Sequence, residues 1–371
     1  VDEIAMINGL RLISGVGLKG PACFLLEAAG KRLLLDLGEG PPPGLMPQVD
    51  DIGAVDALIL SHGHRDHVGG LSLLPKLGNP PVYATDIVLR ALPKDITARP
   101  LPVGGRGDVL GIAVVTGRNG HAPGGIWLHF AIGDGLLYTG DFSLESTLYA
   151  YDPPTLPAAT VLMDCSYGGG YDAPLTACWD KLVPIAARGP LLLPVPANGR
   201  GPELALELFR HGRRDIGRRD IFVDGAMQKA LTQLCGADSV SLRADAIDDI
   251  RQLAAAVKPI DGAHGIMLAG SADGTSGTTA QLFRDWGNAP EPAILFTGYV
   301  NPTTPADHLV KSGRARTMRW NVHPRLADAT ALVRAVQAKT VIPAFCDRTQ
   351  LPALAAAFAP ARVTMDGAIT I

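Results

Sequence analysis

Four side chains of types that bind divalent metals, His62, His64, Asp66 and His67, fall within one short stretch of the segment LILSHGHRDHVGGL (58–71). Neutral imidazole and carboxylate are ligands for zinc and related ions. The chain has only nine histidines, so three of them in this pattern argue against a polar loop that happens to be histidine-rich. The linkers are so short that the four cannot all reach one tetrahedral ion. His62 and His64 can share one ion while Asp66 and His67 turn to a second. A two-metal site of this kind requires further ligands from elsewhere. The apolar run Ala57 to Leu60 feeds directly into the cluster and reads as a buried strand, with Gly69-Gly70 turning the chain after it.

The elements around this stretch supply the other candidates. LRLIS (10–14), ACFLLEA (22–28) and KRLLLDLG (31–38) read as short strands separated by glycines. The third ends on Asp36, which is either a capping group or a site residue. LSLLPKLG (71–78) reads as a short helix. Strands resume at GIAVVT (111–116), GIWLHFAI (125–132) and LLYTGD (136–141), which place His121 in the loop NGHAPGG and Asp141 in TGDFS. His129 lies inside an alternating strand and reads as structural. ATVLMDCSYGG (159–169) again runs an apolar strand into a carboxylate, Asp164.

From about Tyr171 to Thr297 helices and strands alternate without clustered histidines, which predicts a separate parallel-sheet lobe. PELALELFRHG opens with Pro202 in a first helical turn and stops at Gly212. The basic run RHGRRDIGRRD (210–220) is interrupted by aspartates and reads as a solvated helix end. Beyond the lobe, His308 lies in GYVNPTTPADHL and His323 precedes a helical segment, with a strand KTVIPA (339–344) after it. If His308 and His323 complete the metal site, the lobe is an insertion within the domain that carries His62 to Asp141.

Composition sets bounds. A length of 371 residues predicts two or three domains, and 47% hydrophobic with 19% charged residues describes a globular chain. The net charge of −3 gives no global attraction to nucleic acid, so binding it needs a local basic cleft. No leader-like segment opens the sequence and no run approaches the roughly 18 apolar residues of a membrane span, so no membrane partner is expected. Five scattered cysteines, an odd number, read as reduced thiols of a cytoplasmic protein.

Taken together, Asp36, SHGHRDH, GHAPGG and TGDFS resemble the metallo-β-lactamase superfamily. DCSYGG, PVPANGRGPELALEL, HGIMLAGSADGTSGTTAQLFRDW, FTGYVNPTTPADHL and NVHPRLADATALVRAV resemble its β-CASP branch of RNA- and DNA-processing nucleases. The resemblance implies an α/β fold, an αββα sandwich over 1–170 and 298–371, with an α/β cap inserted at 171–297. It implies two zinc ions, with manganese or iron as alternatives. One would be held by His62, His64 and His121 and the other by Asp66, His67 and His323, with Asp141 bridging. Asp36 would orient a ligand histidine or the bridging water. His308 would face the scissile phosphate as proton donor, held by Asp164. The implied function is a metal-dependent hydrolase cleaving nucleic acid, single-stranded RNA before DNA. A small-molecule metallo-hydrolase and a non-catalytic binding or scaffold protein are the alternatives, and a homodimer is compatible with each. Two departures from the branch stand out: Phe345-Cys346 replaces a His-Gly turn, and Asn-Val-His replaces Ser-Ala-His or Ser-Gly-His.

Overall fold

The computed structural model describes residues 8–217 and 219–371. Two seven-stranded sheets face each other. The first runs in the order Ala368–Thr370, Gly9–Ser14, Cys23–Ala28, Lys31–Leu35, Ala57–Ile59, Val82–Thr85, Ala98–Leu101. The second runs Arg362–Val363, Thr340–Ala344, Thr160–Asp164, Leu136–Tyr138, Ile126–Phe130, Ile112–Arg118, Gly105–Val109. Alternating apolar residues of both sheets meet between them: Phe24, Leu26, Leu33, Leu35 and Ile59 pack against Ile126, Leu128, Phe130, Tyr138 and Ile342. Each such side chain stabilises the sandwich by about 1.5–3 kcal/mol. The outer face of the first sheet is covered by the 3₁₀ segment Leu71–Leu77 and nearby loops. That of the second is covered by the helices Leu326–Ala335 and Leu351–Phe358. This is the expected αββα sandwich.

Both sheets contain a parallel set. Lys31–Leu35, Ala57–Ile59 and Val82–Thr85 run together in one, and Leu136–Tyr138, Thr160–Asp164 and Thr340–Ala344 in the other. Their carboxyl ends gather at one edge of the sandwich, the usual place for a site in parallel sheets. Asp36, Ser61-His62, Asp141, Asp164 and Phe345 all sit at or just past those ends.

The lobe is a third, wholly parallel sheet, in the order Lys258–Pro259, Ile221–Val223, Ile266–Ala269, Leu191–Pro194, Ala293–Phe296, Ala315–Thr317. Helices Arg200–Asp215, Gly225–Cys235 and Ile247–Ala256 cover one face; Gly277–Trp286 and Pro305–Lys311 cover the other. The lobe therefore closes later than the boundary at 297 read from the sequence. Its edge strand Ala315–Thr317 pairs with Ala293–Phe296, and Ala306 and Leu309 pack into its core. A strand this short, with two of its three residues exposed, has no apolar pattern to mark it.

The basic run of 210–220 forms the end of the helix Arg200–Asp215, as expected, with residue 218 outside the described residues. All five cysteines are free, four of them buried. No helix among the described residues is long and apolar enough to cross a membrane.

Candidate metal centre

The short helix Arg65–Val68 begins directly after His64 and carries Asp66 and His67, with the His67 ring centroid 4.0 Å from that of His62. Its position is fixed by close approach to Gly38, where a Cβ would lie 1.7 Å from the Asp66 carbonyl oxygen. The cluster and the later candidates then converge. Three groups of side chains bring their donor atoms together: His62, His64, His121 and Asp141; Asp66, His67 and Asp141; and Asp141, Asp164 and His323.

The first group shows what it is built to hold. His64 Nε2 faces the carbonyl of Asn198 at 2.8 Å, and His121 Nδ1 faces that of Val322 at 2.6 Å. A carbonyl only accepts, so each of these nitrogens carries the proton and the other ring nitrogen presents a lone pair. His64 Nδ1 consequently lies 3.1 Å from His62 Nε2 and 3.0 Å from His121 Nε2. Burial, and then the neighbouring imidazoles, hold His62 and His121 well below the usual histidine range. His64 is lowered too, chiefly by burial. Neutral imidazoles aiming lone pairs at one point repel one another unless a cation lies among them.

In the second group Asp36 is fully buried and accepts from Ser61 N at 2.7 Å, Ser61 Oγ at 2.7 Å, His67 Nδ1 at 2.7 Å and the Tyr138 hydroxyl. That leaves His67 Nε2 turned to Asp141 Oδ1 at 3.2 Å, yet neither atom makes a hydrogen bond. Two buried polar atoms left without partners, face to face, are what an ion-binding site looks like before the ion is counted. The donor set, five imidazoles flanked by carboxylates, fits a divalent metal ion. Burial works to lower His67, but Asp141 and Asp36 outweigh it and raise it well above its ordinary value. His323 is likewise raised, Asp164 and Asp141 outweighing burial.

Asp164 departs from the role expected of it. Its carboxylate accepts from His323 Nδ1 at 2.7 Å and from Ser166 N at 2.9 Å, so it orients the late histidine of the cluster and not His308. Burial would raise Asp164, but His323 outweighs it and holds the carboxyl low. His308 is an exposed residue of the helix Pro305–Lys311 and lines a surface depression with Gly274, Phe283 and Arg284, on the helical face of the lobe. It joins none of the three donor groups. The helix packs on the lobe's own core through Ala306 and Leu309, which turns His308 away from the metal residues. His308 thus lies apart from the donor groups, in a depression on the lobe's own surface.

His129 is structural: its Nε2 donates to the carbonyl of Pro157 at 2.8 Å. Phe345, where the branch has a polar turn, sets its ring 5.2 Å from that of His67 and 6.2 Å from that of Phe24. It gives the centre an apolar wall. Ser61, Tyr138 and Asn198 are not singled out in the sequence, and Val322 enters there only as the middle letter of Asn-Val-His. Only Ser61, beside the histidine cluster, carried a local signal.

A cleft of about 830 Å³ between sandwich and lobe is lined by Asp66 and His323 of the cluster together with Lys19, Arg200, Tyr299 and Arg319. Arg319 stacks on two tyrosines, 4.4 Å from the Tyr167 ring centroid and 4.1 Å from that of Tyr171. Lys19 sits 4.5 Å over Tyr299.

Comparison with known proteins agrees with this geometry. Residues 16–177, which carry His62 to Asp164, match the family model of the metallo-β-lactamase superfamily. That part of the chain is similar to the metallo-β-lactamase superfamily. The chain is 31% identical to ribonuclease TTHA0252 of Thermus thermophilus over 56% of this chain and 56% of that protein. It is 26% identical to the transcription termination factor FttA of Methanothermobacter thermautotrophicus, over 78% of this chain and 56% of that one. It is 26% identical to cleavage and polyadenylation specificity factor 73 of Drosophila melanogaster, over 76% and 49%. The chain thus spans about half the length of the relatives it matches. A crystal structure of an Enterococcus faecalis protein of unknown function shares the fold across 98% of the chain, with a TM-score of 0.61 and 13% identity.

Proposed function

We propose that this protein is a two-zinc phosphodiesterase that cuts nucleic acid, single-stranded RNA in preference to DNA. The observation that carries the reading is the convergence of three donor groups on Asp141 beside a cleft that Asp66 and His323 share with cations and tyrosines. That lining supplies the local basic surface which the net charge of −3 does not. Cations interleaved with aromatic faces suit a single strand, whose bases can stack and whose phosphates are anionic. The ribonuclease among the relatives supports the same substrate class.

By this reading His62, His64 and His121 would hold one ion and Asp66, His67 and His323 the other, with Asp141 available to both. When bound, the ions supply an activated water at neutral pH and positive charge facing the phosphate oxygens. The chain's own groups do the rest. Asn198 and Val322 fix the proton of His64 and of His121 on the outward nitrogen. Asp36 does the same for His67 and Asp164 for His323, so each ring is held in one tautomer and one orientation. Phe345 keeps water from the His67 side.

Incubating the zinc-loaded protein with single-stranded RNA, single-stranded DNA and a panel of carboxylic esters tests the reading. Cleavage of RNA, slower cleavage of DNA and none of the esters is expected. Ester hydrolysis with both nucleic acids intact would overturn it. Because His308 faces away from the cleft, His308→Ala should change RNA cleavage by less than about threefold, below about 0.7 kcal/mol in activation energy. A loss of several orders of magnitude with the zinc retained would restore His308 to the site.

Zinc binding should depend on pH in a defined sense. His67 and His323, both raised, hold protons that the metal must displace, whereas the lowered His62 and His121 are already neutral. Affinity therefore rises with pH, and loading near neutral pH releases protons. Calorimetric titration of metal-free protein with zinc in two buffers of different ionisation heat measures that release. Identical heats in the two buffers would contradict the assignment of His67 and His323 as ligands.

A further inference from the structure

One guanidinium in the cleft has no partner. Arg65 is spent on Glu39, Nε to Oε2 at 2.8 Å, and Arg319 on the faces of Tyr167 and Tyr171. Arg200, which also lines the cleft, makes no hydrogen bond or ion pair among the described residues, and its Nε is fully buried. The carboxylate nearest along its helix, Glu203, is turned to the backbone of Thr147, accepting from N at 2.9 Å. Burial holds Glu203 up to about 7, so it is a weak counterion even where it is close. Burial likewise brings Arg200 down to about 10, which leaves it cationic at neutral pH. Arg200 is half-buried, its Nε sealed from water without a partner while its Nη groups keep access to the cleft, so an anion there would complete a guanidinium that is only partly hydrated.

The backbone is shaped to keep the group there. A Cβ on Gly298 would lie 2.0 Å from Arg200 Nη1, so the guanidinium occupies space that only a glycine leaves open. Arg200 is also the first residue of a 16-residue helix, whose amino-terminal end favours negative charge. Tyr167, which contributes to the electrostatics of Arg200, has its ring 5.3 Å from that of His323. The group therefore stands beside the metal residues.

We propose that Arg200 is the seat for a backbone phosphate of the substrate strand, next to the bond that is cut. The planar fork matches two phosphate oxygens at once and fixes the strand's register over the metal centre. The proposal rests on the nuclease reading for the identity of the strand, but its test does not require cleavage. Equilibrium binding of a fluorescein-labelled, non-cleavable 2′-O-methyl oligoribonucleotide to the zinc-loaded protein is measured by anisotropy across a salt series. Arg200→Gln should weaken binding about tenfold or more. It should also make the slope of log K against log salt shallower by about 0.7, the value for one phosphate contact on a single strand. Arg200→Lys should keep the slope, since the charge remains, while losing part of the affinity, since the fork is gone. Gly298→Ala offers a second route: it leaves Arg200 in the sequence but pushes the flexible guanidinium aside, and it should weaken binding in the same direction.

Unchanged affinity and slope in both Arg200→Gln and Gly298→Ala would overturn the seat, while RNA cleavage by the wild type would leave the nuclease reading standing. Weaker binding with an unchanged slope would also overturn it, since the loss would then be structural. The predicted binding changes in a protein that cuts neither RNA nor DNA would support the seat and overturn the nuclease reading instead. Failure of the wild type to bind the oligonucleotide would overturn both.

Discussion

Asp141→Asn should reduce the zinc content from two per chain to one or fewer and lower phosphodiester hydrolysis by about a thousandfold or more, roughly 4 kcal/mol in activation energy. Asp141 is the one residue common to all three donor groups. Its Oδ1 lies 3.2 Å from His67 Nε2, and its Oδ2 lies 3.5 Å from His121 Nε2 and 3.8 Å from both His62 Nε2 and His323 Nδ1. Asparagine keeps the shape and removes the charge that the two cations of the proposed centre would require. In the metal-free protein the substitution also takes from His67 one of its two carboxylates. A charge stranded in the interior would cost about 3–5 kcal/mol. His67 escapes that by giving up its proton, so the loss stays nearer the 1–3 kcal/mol of an unsatisfied polar group. The sign of the pH dependence follows. His67 is raised in the folded wild type, so the pair's contribution is fully present below the unfolded histidine value of about 6.5 and fades as pH rises through the folded value. The stability gap between metal-free wild type and Asp141→Asn is therefore widest on the acid side of that window. Elemental analysis, hydrolysis rates and denaturant titrations check these points; a variant retaining two zinc ions and normal turnover would remove Asp141 from the centre.

Much of this centre is legible in the sequence because its residues follow apolar strands. Asp36, His62, Asp141 and Asp164 each come at or just after a run of buried residues, and parallel strands bring their carboxyl ends to one edge whatever their order in the chain. The αββα sandwich is legible for the same reason. The partners that fix the rings are not. Asn198 and Val322 act through backbone carbonyls, which any residue possesses, from segments 134 and 201 residues away from the histidines they hold. His308 misled because a motif places a residue on a helix but does not say which face of the helix packs inward. Here Ala306 and Leu309 take the inner face and His308 the outer. With His308 gone from the cleft, Asp164 had a nearer imidazole to hold, that of His323. Arg200 was visible only as one letter of a helix entry. Its isolation depends on Glu203 turning to Thr147 and on the room left by Gly298, which are properties of packing.

Replacing Asp36 should separate its structural work from its electrostatic work. Four donors converge on this carboxylate, from the backbone and hydroxyl of Ser61, from His67 and from Tyr138, and the backbone at Asp36 is left-handed with φ 55°. Asp36→Ala leaves buried donors unsatisfied at about 1–3 kcal/mol each and adds about 1–2 kcal/mol for a left-handed alanine. Against a typical domain stability of about 5–15 kcal/mol, that variant should accumulate poorly. Asparagine tolerates the left-handed backbone and keeps one acceptor oxygen, so Asp36→Asn should fold. Its amide, however, puts a donor where His67, Ser61 Oγ and Tyr138 all donate to Oδ2. If the amide oxygen takes Ser61 N, His67 loses the partner that fixes its tautomer, and zinc at that position should bind about 10–100-fold more weakly. Zinc bound by His62, His64 and His121 should be much less affected, so a competition titration with a chelator should show two unequal steps. Two equal steps, both like the wild type, would mean that Asp36 does not orient a ligand. Tyr138→Phe supplies the control. Alone it removes one hydrogen bond to Asp36, about 1 kcal/mol. In the Asp36→Asn background that hydroxyl already lacks its acceptor, so the same substitution should cost nothing or stabilise. A full, additive cost in both backgrounds would show that the Tyr138 hydroxyl does not draw its stability from Asp36.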